Sequence, residues 1–222
     1  MAKSERVEVL ERGDIYFAYR PKIDVDSPKG IDDVQRLYMV LSPRDKDRYR
    51  MVVIGQKKLP GIEDGGERTR PAARPAGEGV YAILRHGDHT HLAYVLELPE
   101  TGKDVQRALN IRQEGSYIIS VNNPETPSPR GAGLEEHEEA EFPKRLQERF
   151  RDRRFANVDP PEFLNHEGAE LLLIGAGGDV SEELGIELDA ERESADSAKI
   201  LADLKLDSEE HPTEPLLKGE WA

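Results

Sequence analysis

The chain has 222 residues, 36% of them hydrophobic and 34% charged, a formal net charge of −14 and no cysteine. This is a globular composition with a polar bias, and the missing thiols exclude disulfide frameworks, thiolate metal sites and cysteine catalysis. The acid excess disfavours general binding to double-stranded DNA, which asks for a basic surface. No apolar run approaches the roughly 20 residues that span a bilayer, and the charged start, residues 1–10, lacks the apolar stretch of a secretory signal. The expected setting is the cytoplasm, away from membranes.

In chain order, the first elements read as strands. Ile15 to Tyr19 is apolar and aromatic and runs into Pro21. Leu37–Leu41 and Met51–Ile54 flank a polar stretch with Pro43 and Asp45, the pattern of a hairpin with a longer loop. Residues 59–79 are rich in Gly, Pro and Arg and read as a loop. Val80–Leu84 and Leu92–Leu98 then form a second hairpin, Asp104–Leu109 allows one or two helical turns, and Tyr117–Val121 is another strand. Pro143 opens a helix, where proline suits the first turn. Phe142, Leu146 and Phe150 recur every four residues and so fall on one stripe of it. Leu171–Ile174 reads as the last buried strand.

These elements predict an α+β fold: a mostly antiparallel curved sheet or small barrel with one or two packed helices. The strand-rich body is expected over residues 1–176. Residues 177–222 carry 14 acidic and 4 basic side chains and read as an acidic, partly disordered tail. Ile200, Leu201, Leu204 and Trp221 are the points through which that tail could dock. Asp33-Val34-Gln35-Arg36 recurs as Asp104-Val105-Gln106-Arg107, and each copy follows a proline and a glycine. A duplicated strand–turn–strand unit would produce such an echo, as would chance.

His86-Gly87-Asp88-His89-Thr90-His91 is the most chemically suggestive segment. A two-residue Gly-Asp turn pairs His86 with His89 and puts His91 on the same face. Three imidazoles on one side of a hairpin suit a divalent transition metal, so His86, His89 and His91 are the candidate metal ligands. The competing reading is a solvated hairpin tip without metal.

Arginines supply the second candidate. Arg68, Arg70 and Arg74 in the Gly/Pro loop could grip a phosphate or carboxylate, which guanidinium matches bidentately. Arg149 and Arg153 lie in a basic run from Lys144 to Arg154, with the acidic tail downstream as an internal competitor for the same surface. A purely solubilising role is the plainer alternative for both groups.

Other motifs fail. Ile174-Gly175-Ala176-Gly177-Gly178 follows a strand, but the third glycine of a dinucleotide fingerprint would fall on Val180. His137-Glu138 has Glu141 where a zinc-protease helix needs its second histidine. No serine elbow or phosphate loop is present, and no cofactor is evident. The expected function is therefore a binding or interaction protein without evident catalytic machinery. Its partner would be another protein or an anionic ligand, a nucleotide or nucleic-acid segment. The alternative is a metal-dependent enzyme, a hydrolase in class, built on the histidine hairpin.

Overall fold

The computed structural model describes residues 7–55, 71–126, 134, 138–188, 190 and 198–222. Its strands are β1 (Val7–Pro21), β2 (Val34–Pro43), β3 (Arg50–Ile54), β4 (Arg74–His86), β5 (His89–Leu98), β6 (Glu114–Asn122), β7 (Phe155–Asn157) and β8 (Leu171–Gly177). The helices are short: α1 (Asp104–Ala108), α2 (Lys144–Gln147), α3 (Val180–Leu184), α4 (Lys199–Asp203) and α5 (Glu214–Leu217). Neighbouring strands follow the order β3-β2-β1-β4-β5-β6-β7, with β8 paired to β6. The fold is α+β with a mostly antiparallel curled sheet, as the strand pattern predicts. Among the described residues no helix is long and apolar enough to cross a membrane.

The chain forms two compact units, and the sequence-based boundary at residue 176 falls inside one of them. Unit 1 comprises Met1–Arg12, Tyr81–Tyr94 and Glu114–Leu188; unit 2 comprises Gly13–Val80, Val95–Gln113 and Asp189–Ala222. Strands β1, β4 and β5 contribute residues to both.

In unit 2, β1 pairs antiparallel with β2 (Phe17 opposite Met39) and β2 with β3 (Met39 opposite Val52), the expected hairpin. Ile15, Tyr16, Phe17 and Tyr19 are all buried. The Gly/Pro-rich stretch departs from the loop expectation, because β4 already begins at Arg74 and Ala76–Val80 are buried. A Cβ on Gly79 would come within 2.1 Å of the Val95 carbonyl oxygen, so glycine here permits close backbone contact within a strand. Glycine content alone signals a loop; only the neighbouring strand shows the other reason for it.

The two copies of the echoed tetrapeptide differ in local conformation. Val34, Gln35 and Arg36 lie in β2, with Arg36 opposite Arg20 of β1, whereas Asp104–Arg107 form α1. The second copy is helical because Gln106, fully buried, donates from Nε2 to the carbonyl oxygens of Ala76 and Pro215, 2.8 Å each.

Residues 198–222 dock in unit 2, and Ile200, Leu201 and Leu204, which their helical spacing singled out, take part with Leu206 and Leu216. Ile200 and Leu216 are buried with Tyr16, Val40 and Leu98, and Leu201, Leu204 and Leu206 pack around them. Buried Glu78 accepts hydrogen bonds from the backbone N–H groups of Lys199 (3.0 Å) and Ile200 (2.9 Å) at the start of α4. Tyr16 donates to Asp203, and the Trp221 ring meets Tyr19 edge-on at 5.3 Å.

In unit 1, β6 pairs with β7 at Ser120–Asn122 and with β8 at Ser116–Val121. Phe142, Phe150 and Phe163 form an aromatic cluster with ring separations of 5.2–5.9 Å, and Leu146 and Phe150 are buried, so the predicted stripe is real. Its helix is short: Pro143 precedes α2, which tightens into a 3-10 turn at Glu148–Phe150. The expected buried strand Leu171–Ile174 is a correction. Leu172 and Ile174 are 40% and 49% exposed, because the side of β8 that carries them is not packed against a second layer. Four consecutive apolar residues look the same in sequence whether one face or both are covered.

Candidate functional site

One sheet face of unit 1 gathers the candidate groups. Paired residues in a sheet project to the same side, and alternate residues along a strand share it. Ile118 lies opposite Ile174, Ser120 opposite both Leu172 and Asn157, and Asn122 opposite Phe155. Phe155, Leu172 and Ile174 therefore stand on one face, and all three are exposed. Ile119, Val121 and Ala156 point the other way and are buried.

Helix α3 covers the far end of this face. Val180 and Leu184 are buried against Ala82 and Leu84 of β4 and Ala93 of β5. Asp179 caps the helix, accepting from the Glu182 N–H at 2.7 Å, and the Val180 N–H donates to Glu114 at 3.3 Å. Ser116 Oγ donates to the Glu183 carboxylate and accepts from the Gly177 N–H at 3.2 Å. The Gly-rich exit of β8 thus carries the chain over to its cap.

The histidine hairpin borders the same face. Its turn has Gly87 at φ +56°, and Asn157 Nδ2 donates to the Asp88 carbonyl at 2.7 Å. Arg85 anchors the strand end, 2.6 Å from Asp159 and 2.7 Å from Glu8. The structure brings two of the three imidazoles together: the His86 and His91 rings are 5.8 Å apart, centroid to centroid. His89 is exposed. His91 is 5% exposed, with Nδ1 3.9 Å from Glu183 and unsatisfied by any hydrogen bond. Burial pushes its pKa below the usual imidazole value, with Glu183 opposing that shift and the other two histidines adding to it. Among the described residues no three His, Asp or Glu side chains are grouped to hold a metal ion.

The arginines divide three ways. Arg68 and Arg70 lie outside the described residues. Arg74 is buried in unit 2, held by the Asp26 carbonyl at 2.7 Å from Nη2. Arg149 and Arg153 belong to an exposed turn in unit 1 with Arg151 and Arg154. Arg151 and Asp152 both have left-handed backbone, φ 47° and 63°, a tight reversal, and Arg153 Nε donates to the Phe150 carbonyl at 3.4 Å. Arg154 lies over the Phe155 ring at 5.6 Å, which ties the basic turn to the exposed sheet face. Lys144 pairs with Glu148 and Arg145 with Glu162.

Sequence reading missed Phe155, Leu172, Ile174, Ser116 and Glu183 as members of one surface. The only signal was Phe155 directly following a run of arginines; the rest come together through strand register. Comparison with protein-family models, with curated proteins and with solved structures gave no match.

Proposed function

We propose that this protein is a binding protein without catalytic machinery, and that the unit 1 sheet face takes an anionic ligand with a flat or apolar part, a nucleotide or single-stranded nucleic-acid segment in class. The observation that carries this reading is the uncovered face with Phe155, Leu172 and Ile174, bordered by Arg149, Arg151, Arg153 and Arg154. Guanidinium groups suit phosphate oxygens, and an exposed ring next to them offers a stacking surface for a base. The net charge of −14 argues against long duplex tracts but not against a short strand held locally.

Titration with labelled single-stranded DNA and RNA oligonucleotides and with mononucleotides at low salt tests the reading. Binding should weaken as salt rises, and Phe155→Ala should cost about 1–3 kcal/mol of affinity, the worth of one base–aromatic stack. Arg149→Ala with Arg153→Ala should reduce the salt dependence. Absence of binding at low salt, or affinity indifferent to these variants, overturns it. The competing metal-dependent hydrolase is favoured only by the His86–His91 proximity. Stoichiometric transition metal in purified protein, lost in a His89→Ala/His91→Ala variant, would reverse the order.

A further inference from the structure

Among the described residues β8 pairs with β6 alone, which leaves its outer edge free. No turn or loop among them is joined to residues 171–177 by a backbone hydrogen bond either. Unpaired edges are ordinarily blunted by charge, proline or a bulge. Leu171–Gly177 holds no charged residue and no proline, and the register shift at Ala176 lies past the apolar stretch Leu171–Ile174. Gly175 is a second observation. Its φ is outside the left-handed region, and an added Cβ would meet nothing within 4 Å, so neither conformation nor packing among the described residues requires glycine. Glycine inside a strand weakens it, and close approach of another backbone is one reason for its presence.

Charge is sorted along the same strand. Val121 of β6 lies opposite Leu171 and Asn122 opposite Phe155, so the exposed Arg149, Arg151, Arg153 and Arg154 stand at the Leu171 end of β8. They outnumber the acids among them, Glu148 and Asp152. At the Gly177 end α3 follows, tied to Ser116 through Glu183, with Asp179, Glu182 and Glu187 exposed. Ile186 and Leu188 pack against the α3 cluster, which keeps Glu187 at that end.

We propose that β8 pairs antiparallel with β8 of a second copy of this chain, joining two unit 1 sheets edge to edge. The two-fold axis through such a seam sets the basic end of each copy beside the acidic end of the other, so charge is complementary at both corners. A parallel seam would bring like ends together. Paired residues of antiparallel strands project to one side, so Leu172 and Ile174 of both copies would form one longer apolar row. A seven-residue strand makes a small interface, and the dimer is accordingly a weak, concentration-dependent one. The inference rests on the strand edge and not on the ligand assigned to the sheet face.

Analytical ultracentrifugation of the full chain at low salt, from roughly 1 μM to roughly 1 mM, covers the range in which weak dimers dissociate. The mass should rise from the 24.9 kDa of one chain toward twice that, with no larger species. Gly175→Glu sets like charges across the seam at an open position and should weaken association by roughly ten-fold or more, with the thermal midpoint unchanged. Arg149→Glu/Arg153→Glu and Glu182→Lys/Glu187→Lys should each associate poorly alone and recover when mixed one to one, because only the mixed pair has complementary corners. Phe155→Ala, altered on the face rather than the edge, should associate like the parent chain even where it loses nucleic-acid binding. A mass of one chain throughout, open-ended growth, or dimers indifferent to Gly175→Glu would overturn the pairing. Charge variants that associate alone as well as the parent, or fail to recover on mixing, would overturn its antiparallel arrangement.

Discussion

Gly79 and His91 show how single residues carry constraints that their types alone do not reveal. At Gly79 an added methyl would meet the Val95 carbonyl oxygen at 2.1 Å and the Leu96 Cα at 2.7 Å, both backbone atoms with no freedom to swing aside. Gly79→Ala should therefore destabilise by about 1–3 kcal/mol or more, as overpacking against fixed atoms does. Gly30, with extended backbone and nothing within 4 Å of the added carbon, should tolerate alanine within roughly 0.5 kcal/mol. Urea unfolding of the two variants checks the contrast. His91 sets a pH dependence. Its folded pKa is depressed, chiefly by burial, so above the ordinary imidazole value of about 6.5 both states hold it neutral and nothing is lost. As pH falls below that, the unfolded chain takes up the proton first and the fold loses stability until the folded pKa is passed. Unfolding at pH 7.5 and 5.5 should show this loss, and His91→Leu should flatten that part of it. An unchanged slope in the variant would assign the loss to other groups.

At the scale of elements, short helices persist here because the sheet holds their ends. Helix α4 has five residues, too few to be stable alone. Buried Glu78 accepts from the first backbone N–H groups of α4. Glu78→Gln keeps the shape but turns half of the acceptor into a donor facing those N–H groups, and should cost about 1–3 kcal/mol. Faster proteolysis within residues 198–222 should accompany that loss, while Glu209→Gln on the exposed surface leaves it unchanged. Strand β8 illustrates the opposite case. Pairing with β6 sets its register, but among the described residues no element covers Leu172 and Ile174, so an apolar strand becomes a surface.

For the molecule as a whole, residues 198–222 contribute to the packing of unit 2. Ile200 is fully buried with Tyr16, Val40, Leu98 and Leu216 in unit 2. Ile200→Ala should cost about 2–5 kcal/mol, in the range of large-to-small substitutions in a core. Truncation after residue 197 should leave the Tyr16–Val40–Leu98 patch open and produce a protein that aggregates or unfolds without cooperativity. A truncated chain that unfolds as cooperatively as the full one would refute this role.

The strands, the 37–54 hairpin, the Phe142–Leu146–Phe150 stripe and the docking spacing of Ile200 and Leu204 were legible in the sequence, because period and turn chemistry are local properties. The two-residue Gly87-Asp88 turn was also legible, since glycine between two apolar strands supplies its positive φ. Only the tertiary structure decided which of the hairpin histidines approach each other, and which apolar strand lies open. It also decided that Gly79 belongs to a strand and that two copies of one tetrapeptide take different conformations. Each of these depends on atoms brought near by residues far along the chain: Val95 for Gly79, Glu183 for His91, Ala76 and Pro215 for Gln106. Local sequence specifies what a segment can pair with, while burial, and the chemistry that burial creates, is settled only when distant segments meet.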